Sequence, residues 1–279
     1  MAMYGRDILF SRMLGIVDAK DLDTLKNSTV SVPGCGGVGF THAEALARMG
    51  IGNFKLADFD TFGPENINRQ FGATAETFGL KKVKVLHDRL LSINPDIKIE
   101  CFDSVSENTV EKFLEGVDFV CDALDYFVIQ PRRLMYKLAY EKGIPVVMSG
   151  PIGFGATTHF FLPTGMTFDQ YFDLNNDQTE QDMLINFGIG LNPGRLDRHY
   201  LPDDNLDFET RKVSSVSSSC LLATVQSSTT TVLTLLGRKV AIRPVPWVQQ
   251  IDYVSGIFHK IDTEKGVVSI KKYPLKYYG

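Results

Sequence analysis

In this 279-residue chain the residues able to do chemistry begin with a glycine loop, Pro33-Gly34-Cys35-Gly36-Gly37-Val38-Gly39. Gly34, Gly36 and Gly39 fit the pattern G-x-G-x-x-G, and Asp58 lies 19 residues beyond the last of them. Glycines there permit a tight strand-to-helix turn and close approach of the backbone to phosphate, which a helix N-terminus attracts. An acidic residue after the second strand accepts hydrogen bonds from a ribose. Up to this point ATP and NAD fit equally well. Asn66 and Arg69, three residues apart, and Lys82 then supply polar and cationic groups. Arginine meets phosphate oxygens as a fork and lysine as a point charge, and both can screen a triphosphate while a carboxylate attacks its α-phosphorus. Asp125 follows a strand-like run at 119–122, the end at which an open parallel sheet holds its ligands. A carboxylate there can hold Mg²⁺ against the phosphates. The full set points to ATP held for adenylyl transfer rather than to a dinucleotide held for hydride transfer.

These residues need a frame, and the apolar pattern provides one. Strands are expected at 29–32, 53–57, 97–102, 119–121 and 145–148. Between them Val83, Leu86, Leu90 and Ile93 recur at helical spacing, with a shorter helix near 110–114 and another at 133–142. Strand–helix alternation implies an α/β fold with a Rossmann-like, mostly parallel sheet and helices on both faces. After Gly150 a bent strand at 157–162 is followed by 163–212, which has little clean period. It reads as an insertion over the open end of the sheet, suited either to substrate selection or to packing and dimer contacts. Leu222, Val225, Val232 and Leu236 give partial helical spacing that stops at Gly237. The tail at 247–253, 256–261 and 266–271 reads as a C-terminal antiparallel β extension. The whole is expected to be one adenylation domain over 1–279. Its parts are an N-terminal arm at 1–27, a nucleotide-binding half at 28–150 and a substrate-side half at 151–279.

The chain resembles the ThiF/MoeB family, bacterial relatives of ubiquitin-activating enzymes. The pieces that carry the resemblance stand in family order: Arg12, the glycine loop, Asp58-Phe59-Asp60, Asn66-Ile67-Asn68-Arg69-Gln70, Gly79-Leu80-Lys81-Lys82, Ile93-Asn94-Pro95 and Asp122-Ala123-Leu124-Asp125. The resemblance implies that Gly34, Gly36, Gly37 and Gly39 line the nucleotide and that Asp58 binds its ribose. Asn66, Arg69 and Lys82 would contact the phosphates, and Asp125 would bind Mg²⁺. Arg12 is similar to the family's arginine finger, which reaches the ATP of the partner subunit in a homodimer; Arg6 is a rival with a less suitable distance to the loop. Catalysis would then rest on Arg12, Arg69, Lys82 and Asp125. Two departures stand out. Many members bind zinc through two Cys-x-x-Cys pairs, but Cys35, Cys101, Cys121 and Cys220 have no chelating spacing, so no zinc is expected. The residue after the Mg²⁺ aspartate is often Asn in relatives and is Tyr126 here.

The expected activity is ATP-dependent adenylation of a carboxylate with release of pyrophosphate. The substrate would be the C-terminus of a ubiquitin-like or sulfur-carrier protein or of a peptide. Cyclisation or dehydration of a tRNA nucleoside or natural-product peptide is a rival within the class, and an NAD-dependent oxidoreductase is a rival outside it. The oxidoreductase reading leaves Asn66, Arg69 and Lys82 idle. A net charge of −4 disfavours nucleic acid as a partner. No apolar run approaches the ~20 residues that cross a bilayer, and scattered cysteines read as reduced thiols of a cytoplasmic protein. Cys220 has two readings, a thioester-forming nucleophile or a small packed residue, and the second is favoured because no His or Lys stands near it in sequence.

Overall fold

The computed structural model describes residues 5–201, 206–272 and 276–278. Five parallel strands form one half of a mixed sheet: β1 (Thr29–Pro33), β2 (Asn53–Ala57), β3 (Lys98–Phe102), β4 (Phe119–Asp122) and β5 (Val146–Ile152). Beyond β5 the sheet turns antiparallel through β6 (Gly155–Phe161), β9 (Trp247–Asp252), β10 (Ile257–Asp262) and β11 (Lys276–Tyr278). The order is β11-β10-β9-β6-β5-β4-β1-β2-β3, and a separate hairpin pairs β7 (Leu206–Asp207) with β8 (Lys212–Val213). The expected Rossmann-like sheet with a C-terminal antiparallel extension is therefore present.

Period-two burial gives the sheet two cores. Phe119, Cys121 and Val147 face one, while Val120, Val146 and Met148 face the other. The first core is covered by α2 (Ala19–Asn27), α3 (Gly37–Arg48), α4 (Lys82–Ile93) and α9 (Ser217–Leu235). The second lies under α5 (Val110–Leu114), α6 (Ile129–Glu141), α7 (Phe168–Phe172), α8 (Glu180–Leu191) and α10 (Val267–Ile270). β2 and β4 flank β1, so the chain leaves β1 at a switch point and opens a crevice at the carboxyl ends of the strands.

Helix α9 is rich in hydroxyls yet buried. Thr224, Ser228, Thr230, Thr231 and Thr234 each donate to the carbonyl four residues back. Thr224 also pairs with Thr41 at 2.6 Å, and Ser227 donates to Ser149 at 2.8 Å. These bonds satisfy polar groups that would otherwise be costly to bury.

One expectation changes. The tail segment near 266–271 is not a strand: Gly266, at φ +64°, turns the chain into α10, and Val267 is buried against α7 and α8. Within 163–212, α7 and α8 bury Phe168, Tyr171, Phe172, Met183, Leu184 and Phe187 in the second core, so much of the insertion is packing. The stretch from Leu14 to Lys26 is no free arm. Val17, Leu22 and Leu25 are buried on their own chain, and Arg238 bonds both Asp21 and the Ile16 carbonyl.

Candidate active site

The glycine loop is stitched between the two strands that flank β1. Gly34 N–H donates to the Ala57 carbonyl at 2.8 Å, and Ala123 N–H donates to the Pro33 carbonyl at 3.1 Å. Two glycines are required by contact. Gly34 has φ +92°, and a Cβ added there would lie 2.2 Å from the Ala123 carbonyl oxygen. A Cβ at Gly39 would lie 1.8 Å from the Gly34 oxygen. Gly34→Ala is expected to destabilise the fold by about 3 kcal/mol, summing left-handed strain and overpacking. Calorimetry should record a fall of about 6–12 °C in melting temperature. A variant that melts with the wild type would show that the loop yields without cost.

Asp58 braces this loop. One carboxylate oxygen accepts from Cys35 N–H at 2.6 Å and the other from Asp60 N–H at 2.8 Å. Burial pushes its carboxyl above the usual range, against the two amides and Lys82, which favour the charged form. Each oxygen keeps a further lone pair for a ribose hydroxyl.

The cations stand at the same end. Lys82 opens α4; it is buried, and its Nζ lies 3.1 Å from Asp60. Arg69 is half-buried, and among the described residues its guanidinium donates only to neutral acceptors, the Glu65 carbonyl at 3.1 Å and the Asn68 side chain at 3.0 Å. Its backbone oxygen would lie 3.4 Å from a Cβ at Gly37. Asn66 is buried, with its side-chain oxygen accepting from Gly63 N–H at 3.1 Å, and so it fixes the turn that carries Arg69. Gln70, missed as a candidate, packs its buried amide 3.5 Å from a Cβ position at Gly36.

Asp125 is exposed just past the end of β4, with one oxygen accepting from Phe127 N–H at 3.0 Å. An exposed carboxylate with one oxygen left for a ligand fits Mg²⁺, which binds through one or two carboxylates and substrate phosphates. Among the described residues no group of three or more His, Cys, Asp or Glu could hold a metal ion by itself. Tyr126 points away from the crevice: its hydroxyl donates to the Leu184 carbonyl at 2.7 Å, tying α8 to the Asp125 loop.

Cys220 sits near the start of α9, where its Sγ would be 3.0 Å from a Cβ at Gly37. Burial pushes its thiol up, with Ser215 and Arg69 pulling the other way. Cys35 is fully buried in the loop, and burial and Asp58 raise its thiol further. Neither thiol is poised as a thiolate. Arg12 is exposed on a short turn at Ser11–Met13; the Arg6 side chain lies outside the described residues.

The model of the ThiF family matches residues 9–267. The tRNA threonylcarbamoyladenosine dehydratase of Bacillus subtilis (strain 168) is 39% identical over 142 residues, covering 50% of this chain and 55% of that protein. The matched stretch spans about half the length of such curated relatives. The crystal structure of PaaA superposes with a TM-score of 0.67 at 22% identity, covering 92% of this chain and 84% of that one. The E. coli tRNA N6-threonylcarbamoyladenosine dehydratase in complex with ATP gives a TM-score of 0.60 at 20% identity, covering 83% of this chain and 95% of that one. No described helix is long and apolar enough to cross a membrane.

Proposed function

This chain belongs to the ThiF family, and from that premise we propose that it is an ATP-dependent adenylyltransferase that activates a carboxylate as an acyl-adenylate and releases pyrophosphate. The observation that carries the reading is the meeting of Arg69, Lys82 and Asp125 with the glycine loop at one end of the sheet. A hydride-transferring site has no use for that charge set beyond the loop. The phosphates would lie over Gly36 and Gly37 at the N-terminus of α3. Arg69, free of any carboxylate partner among the described residues, and Lys82 would take the β- and γ-oxygens as charge moves onto the leaving pyrophosphate. Asp125 would hold Mg²⁺, which supplies further screening of the phosphates when bound. The attacking carboxylate is already a nucleophile at neutral pH, so the step needs positioning and charge stabilisation rather than a general base.

The substrate we favour is a carboxyl terminus, of a ubiquitin-like or sulfur-carrier protein or of a peptide, in keeping with the net charge of −4. The similarity to the B. subtilis tRNA enzyme supports a second reading, activation of a nucleoside carboxylate for cyclisation. Exchange of labelled pyrophosphate into ATP, driven by a peptide carboxylate or by tRNA, separates the two. We also propose a homodimer in the cytoplasm. A groove of about 550 Å³ between α3, α4 and α9 is flanked by exposed Phe71, Leu221 and Val225, an apolar face that a second copy would cover.

ATP with Mg²⁺ is expected to raise the melting temperature and NAD to leave it unchanged, because only a ligand of the folded state stabilises it. At 100 Kd of ligand the gain is about 2.7 kcal/mol. Stabilisation by NAD and not by ATP would reverse the assignment.

A further inference from the structure

We propose that Arg132 is the positioning residue of the Asp125 loop, and that through it the insertion helix α8 sets the geometry of that carboxylate. The proposal rests on the reading of Asp125 as the Mg²⁺ carboxylate. The side chains of Arg132 and Asp122 are 3% and 0% exposed, and Nε donates to Oδ2 at 2.9 Å. The same guanidinium donates to the carbonyls of Leu124 and Asp125, the latter at 3.1 Å. Asp122 is equally occupied, accepting from Leu124 N–H at 3.0 Å and from the Tyr136 hydroxyl at 3.0 Å. Phe187 of α8 stacks its ring 4.8 Å from the guanidinium carbon.

A buried ion pair is a poor device for stability alone, since desolvation offsets most of its attraction. Here nearly every bond of the pair is spent on one four-residue loop. The carbonyls of Leu124 and Asp125 turn inward and need donors; Arg132 donates to both, and the Asp125 carbonyl also accepts from Val128 N–H at 3.1 Å. With those two carbonyls fixed and Phe127 N–H holding one carboxylate oxygen, the second oxygen of Asp125 has one place to be. Partners behind a metal ligand of this kind are worth about 10–100-fold in metal affinity.

Arg132→Lys is the informative variant, because an ammonium keeps the charge opposite Asp122 but cannot fork to two carbonyls. ATP stabilisation of the fold is measured by thermal shift in EDTA and then along a Mg²⁺ titration, together with amide hydrogen exchange of the ligand-free protein. The expected result is unchanged ATP binding in EDTA, about a tenfold higher Mg²⁺ concentration for half-maximal effect, and faster exchange at the Leu124 and Phe127 amides. A Mg²⁺ requirement within twofold of the wild type overturns the proposal. So does a loss of ATP binding that is equal with and without Mg²⁺, the mark of a general packing defect. If Arg132→Lys does not fold, Phe187→Leu removes the ring beneath the guanidinium together with its contacts to Tyr126, Phe168 and Phe172, and must move the Mg²⁺ requirement in the same direction, by about threefold, with ATP binding in EDTA unchanged; an unchanged requirement overturns the coupling. A wild type whose ATP binding ignores Mg²⁺ removes the Asp125 reading and this inference with it. A Mg²⁺-dependent wild type beside an indifferent variant removes this inference alone.

Discussion

Lys82→Ala is expected to give a folded protein whose pyrophosphate exchange is slower by about 10²–10³-fold, the usual cost of one charge-stabilising donor. Lys82 is 7% exposed, yet its partner Asp60 has a side chain 52% exposed. Truncation therefore leaves Asp60 in water rather than stranded in the core, and the stability loss stays small. The catalytic loss does not, because the nearby groups are acidic. Asp58 and Asp60 lie beside Lys82, and in the proposed site they would, without it, repel the charge that builds on pyrophosphate. Lys82→Arg restores a positive charge and is expected to recover part of the rate. Steady-state exchange at saturating ATP, beside a melting curve for each variant, makes the measurement. A rate loss below threefold would leave Lys82 as the partner of Asp60 and nothing more.

The nucleotide half was legible because its signals are local. Alternating apolar runs mark buried strands, and the loop, Asp58, Lys82 and Asp125 each lie near a strand or helix end that the pattern already locates, while Asn66 and Arg69 stand on a turn in the connection between β2 and α4. The substrate-side half hid its order for three separate reasons. Helices α7 and α8 are announced by capping boxes, Thr167 with Gln170 and Thr179 with Asp182, short signals inside a segment with no clean period. Helix α9 is made of residues with poor helix propensity, and it persists because its hydroxyls bond back along the helix and across to Thr41 and Ser149. Near 266–271 an alternating apolar pattern reads as a strand, but a positive-φ glycine and the pocket between α7 and α8 make it a helical turn. The contacts of Arg132 with Phe187 and of Cys220 with Gly37 join elements far apart in sequence, and that of Arg132 with Asp122 joins β4 to the helix that follows it. No spacing rule shows them. One departure has a structural explanation: Tyr126 is anchored on α8.

Arg12→Ala is expected to lower turnover by about 10³-fold or more with the fold intact, if Arg12 is the finger that neutralises the leaving pyrophosphate. The structure bears on where such a finger could act. Phe10 packs near Gly50, just past the C-terminal end of α3, whereas Gly37 opens that helix. Twelve residues of helix separate the two ends, about 18 Å at 1.5 Å per residue. Phe10, Val17 and Leu22 are buried together, so the turn bearing Arg12 cannot swing toward its own loop. Arg12 is exposed, and a finger there is expected to serve the site of a second copy rather than its own. Complementation is therefore the decisive measurement. Arg12→Ala keeps its own Lys82 but lacks a finger to give, and Lys82→Ala has a finger but a defective crevice. Mixed and allowed to exchange subunits, half of the sites in a mixed dimer pair an intact crevice with an intact finger, so activity should rise to roughly a quarter of the wild-type value at statistical exchange. Exchange of labelled subunits, followed by native mass spectrometry, shows that the mixture has formed. A mixed dimer as inactive as either parent would take away from Arg12 the role of a finger serving a second copy.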